Sequence, residues 1–173
     1  MGAEVIKIEP PYGDSNRSLG AYRNPGMAAL YLTCNRNKRS IVLDLKQPSA
    51  IAVVMQLAKN VDVVIHNNRP QTMVKLGLDY AAFKAANPKI IYCGTYGYGA
   101  SGPYGSMQAV SGIAMLNEMV YGEPRYLPTI VADKTTAMQV VSAVTAALYS
   151  RERTGEGQQI EVPMFETMVY YTM

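Results

Sequence analysis

Short runs rich in β-branched residues alternate along the chain with longer segments of helical periodicity. Runs of this kind are typical of strands, and strands that alternate with helices form βαβ units around a parallel sheet. The pattern therefore predicts an α/β fold in which helices flank a mainly parallel sheet. The predicted strands are Glu4–Ile8, Ser40–Leu45, Val61–Ile65, Ile90–Gly94 and Gln158–Val162.

Helical segments lie between and after these strands. The first, Gln47–Asn60, has a proline in its first turn, where the missing N–H costs nothing. A shorter one is predicted at Leu78–Ala86, the longest at Lys134–Thr154, and a final one after Pro163. Because the longest helix is apolar on nearly every side in its middle, we expect several neighbours to bury it.

The composition is that of one globular domain. Of 173 residues, 49% are hydrophobic and 17% charged, with a formal net charge of +3. These values exclude a disordered or fibrous chain and disfavour a dedicated nucleic-acid binder, whose basic excess is more concentrated. No apolar run approaches the roughly 20 residues of a membrane helix, and no secretory leader opens the sequence. We therefore expect a cytosolic protein with no membrane or nucleic-acid partner, and the apolar runs close to both ends suggest a fragment.

Metal-binding and disulfide chemistry have little basis in the sequence. Cys34 and Cys93 are the two cysteines and His66 is the one histidine, without metal-site spacing. We therefore predict neither a metal site nor a disulfide framework. His66 follows the third strand, where ligands bind in open parallel sheets, so His66–Pro70 is either a ligand loop or a solvated turn.

Basic residues lie near the ends of neighbouring predicted strands. The cluster Asn35–Ser40 runs into the second strand, and Lys46, Arg69 and Lys75 lie just past strand ends. Solvated turns are the simpler interpretation. Several cations that converge on one place would, however, suit a polyphosphate ligand.

The segment Gly97–Gly102 reads G-x-G-x-x-G directly after the fourth strand. A dinucleotide site needs a helix to begin inside this motif, and the following Pro103 and Gly105 disfavour one. A glycine-rich active-site loop or a plain turn is therefore favoured over a nucleotide-dependent oxidoreductase.

Asp133 is the acidic residue with a distinctive position, because it directly precedes the longest predicted helix. The simpler interpretation is an N-cap that accepts from backbone N–H groups of the first turn. A carboxylate at a helix N-terminus is also held ionised and oriented, and in that form it can act as a nucleophile. Glu9, Glu118 and Glu123 have no comparable placement.

A family resemblance extends in collinear order along essentially the whole chain. It is carried by six segments: Ala3–Pro11, Asn35–Lys46, Asn87–Tyr92, Gly102–Tyr104, Ala132–Asp133 and Ala146–Gln158. They resemble the class III CoA-transferases, the family of formyl-CoA transferase and carnitine CoA-transferase. The resemblance implies a Rossmann-like large domain in an interlocked homodimer that transfers CoA between carboxylic acids. It also implies that residues 1–173 are part of that CoA-binding domain, without its first strand and without the C-terminal small domain.

The resemblance also implies the site residues. Asp133 would attack an acyl-CoA thioester to give a mixed anhydride and then an aspartyl-CoA thioester, from which an acceptor carboxylate takes the CoA. No permanently bound cofactor is implied, because CoA enters and leaves as part of the substrate. The implied CoA contacts are Leu43, Asp44, Leu45, Lys46, Asn67, Asn68, Arg69 and Lys75.

Three departures from the family pattern keep alternatives open. His66-Asn67-Asn68 stands where the family usually has Glu-Asn-Phe, and the segment between Tyr104 and Gln108 is short and lacks a histidine. The missing histidine disfavours an acyl-CoA racemase. The shortened segment and the suggested truncation leave a catalytically inactive CoA-binding or structural remnant as the alternative to an active transferase.

Overall fold

The computed structural model describes residues 2–99 and 106–173, and the chain divides between Val53 and Val54 into two units. The first unit contains strands β1 (Val5–Glu9) and β2 (Lys38–Val42), which pair in parallel from Val5 opposite Lys38 to Glu9 opposite Val42. A 3₁₀ turn and a short helix lie between them. These are Ser15–Ser18 and α1 (Ala29–Cys34).

A buried carboxylate joins the separate segments of the first unit. Glu9 is 2% exposed and accepts hydrogen bonds from the Arg17 guanidinium at 3.0 and 3.1 Å. The Tyr31 and Ser40 hydroxyls donate to it at 2.9 and 3.1 Å, and the Asp14 backbone N–H at 3.2 Å. These bonds hold the pKa of Glu9 at about 2, against the cost of burying the charge. The sequence, in which Glu9 was compared only with Asp133, did not indicate this buried network.

The second unit is built on three parallel strands in the order β3 (Val63–His66), β4 (Ile91–Gly94) and β5 (Gln158–Glu161). Helix α2 (Pro48–Ala58) spans the division between the units. The remaining helices are α3 (Pro70–Leu76), α4 (Tyr80–Ala86), α5 (Met107–Val110), α6 (Ile113–Tyr121), α7 (Val131–Thr154) and α8 (Met164–Thr172). All strand ladders among the described residues are parallel, which confirms the predicted α/β class.

Two buried contacts attach helices to this sheet. Val140 of α7 packs against Cys93 of β4 and Val162 just after β5. The Tyr92 hydroxyl donates to the Leu78 carbonyl at 2.9 Å. The central strand is thus fully buried, as expected for a parallel strand with covered faces.

The structure corrects several predicted boundaries. β2 ends at Val42 and not at Leu45, so the residues from Leu43 onward form a turn. Helix α3 was not predicted, although Pro70 at its first position and the left-handed Gly77 at its end are regular helix boundaries. Helix α7 begins at Val131, three residues before the predicted start.

The expectation that α7 is buried on nearly every side is wrong for this chain. Met138 is 74% exposed, Val141 42% and Tyr149 65%.

Among the described helices, none combines the length and apolar content needed to cross a bilayer.

Candidate active site at the carboxyl edge of the sheet

The carboxyl ends of the three strands of the second unit form one edge. The strand register places His66 beside Gly94, and Gly94 beside Glu161. Ligands of open parallel sheets bind outside this edge. The edge is therefore the reference against which the other candidate residues are described.

Helix α7 runs antiparallel to these strands and carries Asp133 past their carboxyl ends. Near its C-terminus, Arg151 donates to the Lys89 carbonyl at 3.4 Å, just before β4 begins. Val140 packs beside Cys93, near the end of β4. Asp133 lies seven residues further toward the helix N-terminus, about 10 Å along the axis at 1.5 Å per residue. It therefore projects beyond the carboxyl edge.

Asp133 occupies the third position of α7, and Ile130 is the N-cap. The N-cap interpretation of Asp133 is therefore wrong. Its side chain is exposed, and no described residue is a hydrogen-bond or ion-pair partner of its carboxylate. A carboxylate in the first turn of a helix is stabilised in its ionised form by the helix dipole. Both oxygens are thus available to a reaction partner.

The glycine-rich segment after β4 is tied to helix α8. The N–H groups of Met164 and Phe165 donate to the carbonyls of Tyr96 and Gly97, each at 2.8 Å. The Tyr98 and Phe165 rings lie 5.2 Å apart between centroids. The end of the G-x-G-x-x-G motif and the Gly102–Tyr104 segment lie outside the described residues. The described part is thus a loop fixed to the N-terminus of a distant helix.

His66 is half-buried at the edge between two tyrosines. Its ring centroid lies 4.9 Å from that of Tyr92 and 6.3 Å from that of Tyr96. Burial lowers the pKa of His66, opposed by the Asn68 backbone. Neither ring nitrogen makes a hydrogen bond of regular geometry to a described residue. The imidazole thus lies half-buried at the carboxyl edge, next to the Tyr92 and Tyr96 rings.

The implied CoA contacts of the first unit form the turn after β2. The Asp44 carboxylate accepts from the Lys46 N–H at 3.1 Å, and the Asp44 carbonyl accepts from the Gln47 N–H at 2.9 Å. Leu43 and Leu45 are partly exposed, and Lys46 is exposed. The turn thus presents backbone, apolar surface and one ammonium group beyond the end of a parallel strand.

The implied contacts of the second unit form the turn between β3 and α3. Asn67, Asn68 and Arg69 are exposed, and Arg69 is the N-cap of α3. The Asn68 amide donates to the Met73 sulfur at 3.6 Å. Lys75 is exposed in the last turn of α3. The structure therefore gathers Asn67, Asn68 and Arg69 at the carboxyl edge, with Lys75 one short helix away.

Sequence reasoning missed two residues at this edge. The Tyr96 hydroxyl lies near the Glu161 carboxylate, and burial together with this acid raises the pKa of Tyr96. The two residues lie on different strand ends, 65 positions apart in the sequence. Their pairing follows from the β4–β5 register, which no local sequence pattern indicates.

Among the described residues, no three His, Cys, Asp or Glu side chains lie close enough to hold a metal ion.

The model of CoA-transferase family III matches residues 1–173. The chain belongs to this family. Its resemblance to the class III CoA-transferases is thus confirmed over the whole sequence.

Relatives with assigned names are also family III CoA-transferases. The chain is 40% identical to a succinate–glutarate CoA-transferase of Agrobacterium fabrum, with 96% of this chain and 45% of that protein aligned. It is 38% identical to an acetyl-CoA:oxalate CoA-transferase of Acetobacter aceti over the same shares. The chain spans about half the length of the relatives it matches.

Solved family structures share the fold. A CaiB/BaiF family protein from Brucella suis superposes with a TM-score of 0.90 at 38% identity, covering 98% of this chain and 48% of that one. Rv3272 from Mycobacterium tuberculosis gives a TM-score of 0.88 at 33% identity. The Rossmann-like α/β architecture with flanking helices therefore belongs to the family fold.

Proposed function

We propose that the protein transfers CoA between an acyl-CoA thioester and a carboxylic acid, with Asp133 as the covalent nucleophile. The observation that carries the proposal is the position of Asp133, exposed in the first turn of a 24-residue helix and projecting beyond the carboxyl edge. Family membership supports the transfer of CoA. The acyl donor and acceptor are not part of the proposal.

The first half of the reaction makes an aspartyl-CoA thioester. A carboxylate oxygen of Asp133 attacks the thioester carbonyl, the C–S bond breaks, and a mixed anhydride and CoA thiolate result. The thiolate then attacks the Asp133 carbonyl of the anhydride and releases the original acyl group as a carboxylate.

The second half reverses these steps with the acceptor. The acceptor carboxylate attacks the Asp133 thioester, expels CoA thiolate and forms a second anhydride. The thiolate attacks the acceptor's carbonyl, which yields the new acyl-CoA and regenerates the Asp133 carboxylate. No proton, electron or further reactant is consumed in either half.

The glycine-rich loop supplies donors for the oxyanions that develop. No described residue accepts a hydrogen bond from the N–H groups of Tyr96, Gly97, Tyr98 or Gly99. Preorganised backbone N–H groups aimed at a developing oxyanion are a large source of rate enhancement in acyl transfer. We assign this role to the loop.

We further propose, as the resemblance implies, that the turn after β3 in the second unit contacts CoA. For the first unit, taken by itself, we propose that the turn after β2 is a CoA contact. Lys46, Arg69 and Lys75 would contact its phosphates, and Asn67 and Asn68 its polar groups. Cations at strand ends suit phosphate recognition, and each of these side chains is exposed. Residues 1–173 thus belong to the large, CoA-binding domain.

The proposal includes a homodimer and a cytosolic location. Helix α6 exposes apolar side chains, among them Met119 at 82% and Val120 at 74%, which is unusual for a monomer. Both cysteines are free thiols, as in reducing compartments.

Intact-mass measurement tests the nucleophile. Incubation with succinyl-CoA or acetyl-CoA is expected to add the mass of CoA less one water, and Asp133→Asn is expected to abolish the adduct. Asp62→Asn is the matched control, because Asp62 is an exposed acid at the amino end of β3. An adduct that survives Asp133→Asn, or no adduct on the unsubstituted chain, contradicts the proposal and favours an inactive CoA-binding remnant.

A further inference from the structure

The Tyr96 side chain folds back over Gly94, at the centre of the carboxyl edge. A Cβ added to Gly94 would lie 2.5 Å from the Tyr96 hydroxyl oxygen and 2.8 Å from its Cε1. Both distances are below any normal contact between carbon and these atoms. Only glycine at position 94 therefore allows the Tyr96 ring to occupy this place.

Contacts from both sides keep the ring there. The Tyr96 hydroxyl lies near the carboxylate of Glu161, at the end of β5. On the other side, the His66 ring at the end of β3 lies 6.3 Å away between centroids. The ring thus spans the ends of the three strands.

The Tyr96 backbone connects this ring to the helix beside Asp133. Its carbonyl accepts from the N–H of Met164, the first residue of α8, at 2.8 Å. The Met164 side chain packs against the buried cluster of Ile113, Ala132 and Met168. Ala132 directly precedes Asp133, so a continuous set of contacts runs from Tyr96 to the first turn of α7.

We propose that Tyr96 is a positioning residue for Asp133 and that it acts through Met164. Gly94 leaves the space that the Tyr96 ring occupies, and Glu161 interacts with the Tyr96 hydroxyl. The inference rests on the proposed function, because it concerns the reactivity of Asp133. A nucleophile that shifts by a fraction of an ångström loses rate, while substrate binding by other residues is retained. The signature is therefore a slower reaction at unchanged affinity for acyl-CoA.

Tyr96→Phe tests the role of the hydroxyl, since it keeps the ring and removes the group that lies near Glu161. We expect the rate of adduct formation at saturating succinyl-CoA to fall by about 3–10-fold, the order expected for the loss of one polar interaction of ordinary strength. The concentration for half-maximal rate should stay unchanged. Tyr170→Phe is the control, because that hydroxyl is on an 85% exposed side chain of α8.

Gly94→Ala tests whether the Tyr96 ring needs the space beside residue 94. Its methyl group collides with the Tyr96 ring, so hydrogen exchange at the Met164 and Phe165 amides should rise by at least about tenfold. In a Tyr96→Ala background the collision partner is gone, and Gly94→Ala should add little further change. This non-additivity separates displacement of Tyr96 from a general loss of stability.

Three results would overturn the inference. The first is an unchanged rate in Tyr96→Phe, and the second is a higher half-maximal concentration with no change in maximal rate. The third, independent of any reaction, is unchanged amide exchange at Met164 and Phe165 in Gly94→Ala. Absence of an adduct on the unsubstituted chain instead overturns the proposed function, and with it the catalytic part of this inference.

Discussion

The buried carboxylate of Glu9 allows a quantitative prediction for Glu9→Gln. Each oxygen of the carboxylate accepts from several donors. In glutamine, one of the two oxygens is replaced by an NH₂ group, which donates hydrogen bonds. At the Oε2 position the NH₂ group would face the Arg17 Nε–H and the Asp14 N–H, neither of which can accept. At Oε1 the hydroxyls of Tyr31 and Ser40 can rotate and accept, so the partners lost there are the Arg17 Nη2 donor and the Lys7 ammonium group at 3.8 Å. Glutamine therefore adopts the second orientation.

Two estimates give the free energy that Glu9→Gln should cost. A buried donor that loses its charged partner costs about 1.5–3 kcal/mol. The fall of the Glu9 pKa from 4.5 to about 2 corresponds to at most about 3 kcal/mol. Because the Arg17 side chain is 37% exposed, solvent screens part of this interaction. We expect Glu9→Gln to lower the free energy of local unfolding of the first unit by about 2 kcal/mol.

The pH dependence gives an independent check. The folded pKa of Glu9 lies below its ordinary value of 4.5, so its contribution is fully present above that value. It is lost as the pH falls from about 5 toward 2. The unsubstituted protein should therefore lose stability in the first unit over this range, and Glu9→Gln should lose less.

Native-state hydrogen exchange of the β1 and β2 amides measures this local free energy. Glu4→Gln, directly before β1, is the matched control, because the Glu4–Arg39 ion pair is about 70% exposed on both sides. Its substitution should cost less than about 0.5 kcal/mol. Equal exchange in the two variants, or an acid-insensitive first unit in the unsubstituted protein, would refute the reasoning.

One further prediction concerns the two thiols, and another concerns the second unit. Gly157→Ala should destabilise it by at least about 2–3 kcal/mol in urea denaturation, because the new Cβ would lie 2.1 Å from the Ile90 carbonyl oxygen. Gly20→Ala, where the space is open, should cost about 1 kcal/mol, and equal costs would contradict the steric argument. Iodoacetamide at pH 8 should alkylate Cys34 alone by intact mass, because Cys34 is exposed while burial both shields Cys93 and raises the pKa of its thiol. Rapid labelling of folded Cys34→Ser would show that Cys93 is accessible.

Much of the fold could be predicted from sequence because its signals are local. Apolar runs at strand spacing placed all five strands within two to three residues of their observed limits, and the glycine after Thr154 marked the end of α7. The short helices α1 and α3 were missed because six or seven residues carry too few periods to be distinguished from a turn. Pro70 and Gly77 are local boundary signals that identify α3 once they are considered together.

The interactions that sequence reasoning missed join distant residues. The donors to Glu9 come from four positions between 14 and 40, and Tyr96 meets Glu161 through the register of two parallel strands. A single sequence contains no pattern for such pairs, because each depends on how the backbone has already folded. The hydrogen bonds around Glu9 and the approach of Tyr96 to Glu161 are therefore consequences of topology.

The start of α7 removes one of the two roles that the sequence left open for Asp133, the N-cap. An N-cap carboxylate accepts from the N–H groups of its own helix, so at least one oxygen is committed to structure. Because α7 begins at Val131, Ile130 takes the N-cap position, and Asp133 lies inside the first turn with neither oxygen bonded to a described residue. It keeps the favourable field of the helix terminus without the geometric constraint of a cap. The three additional residues of helix thus leave the Asp133 carboxylate without a capping role, as the proposed nucleophile requires.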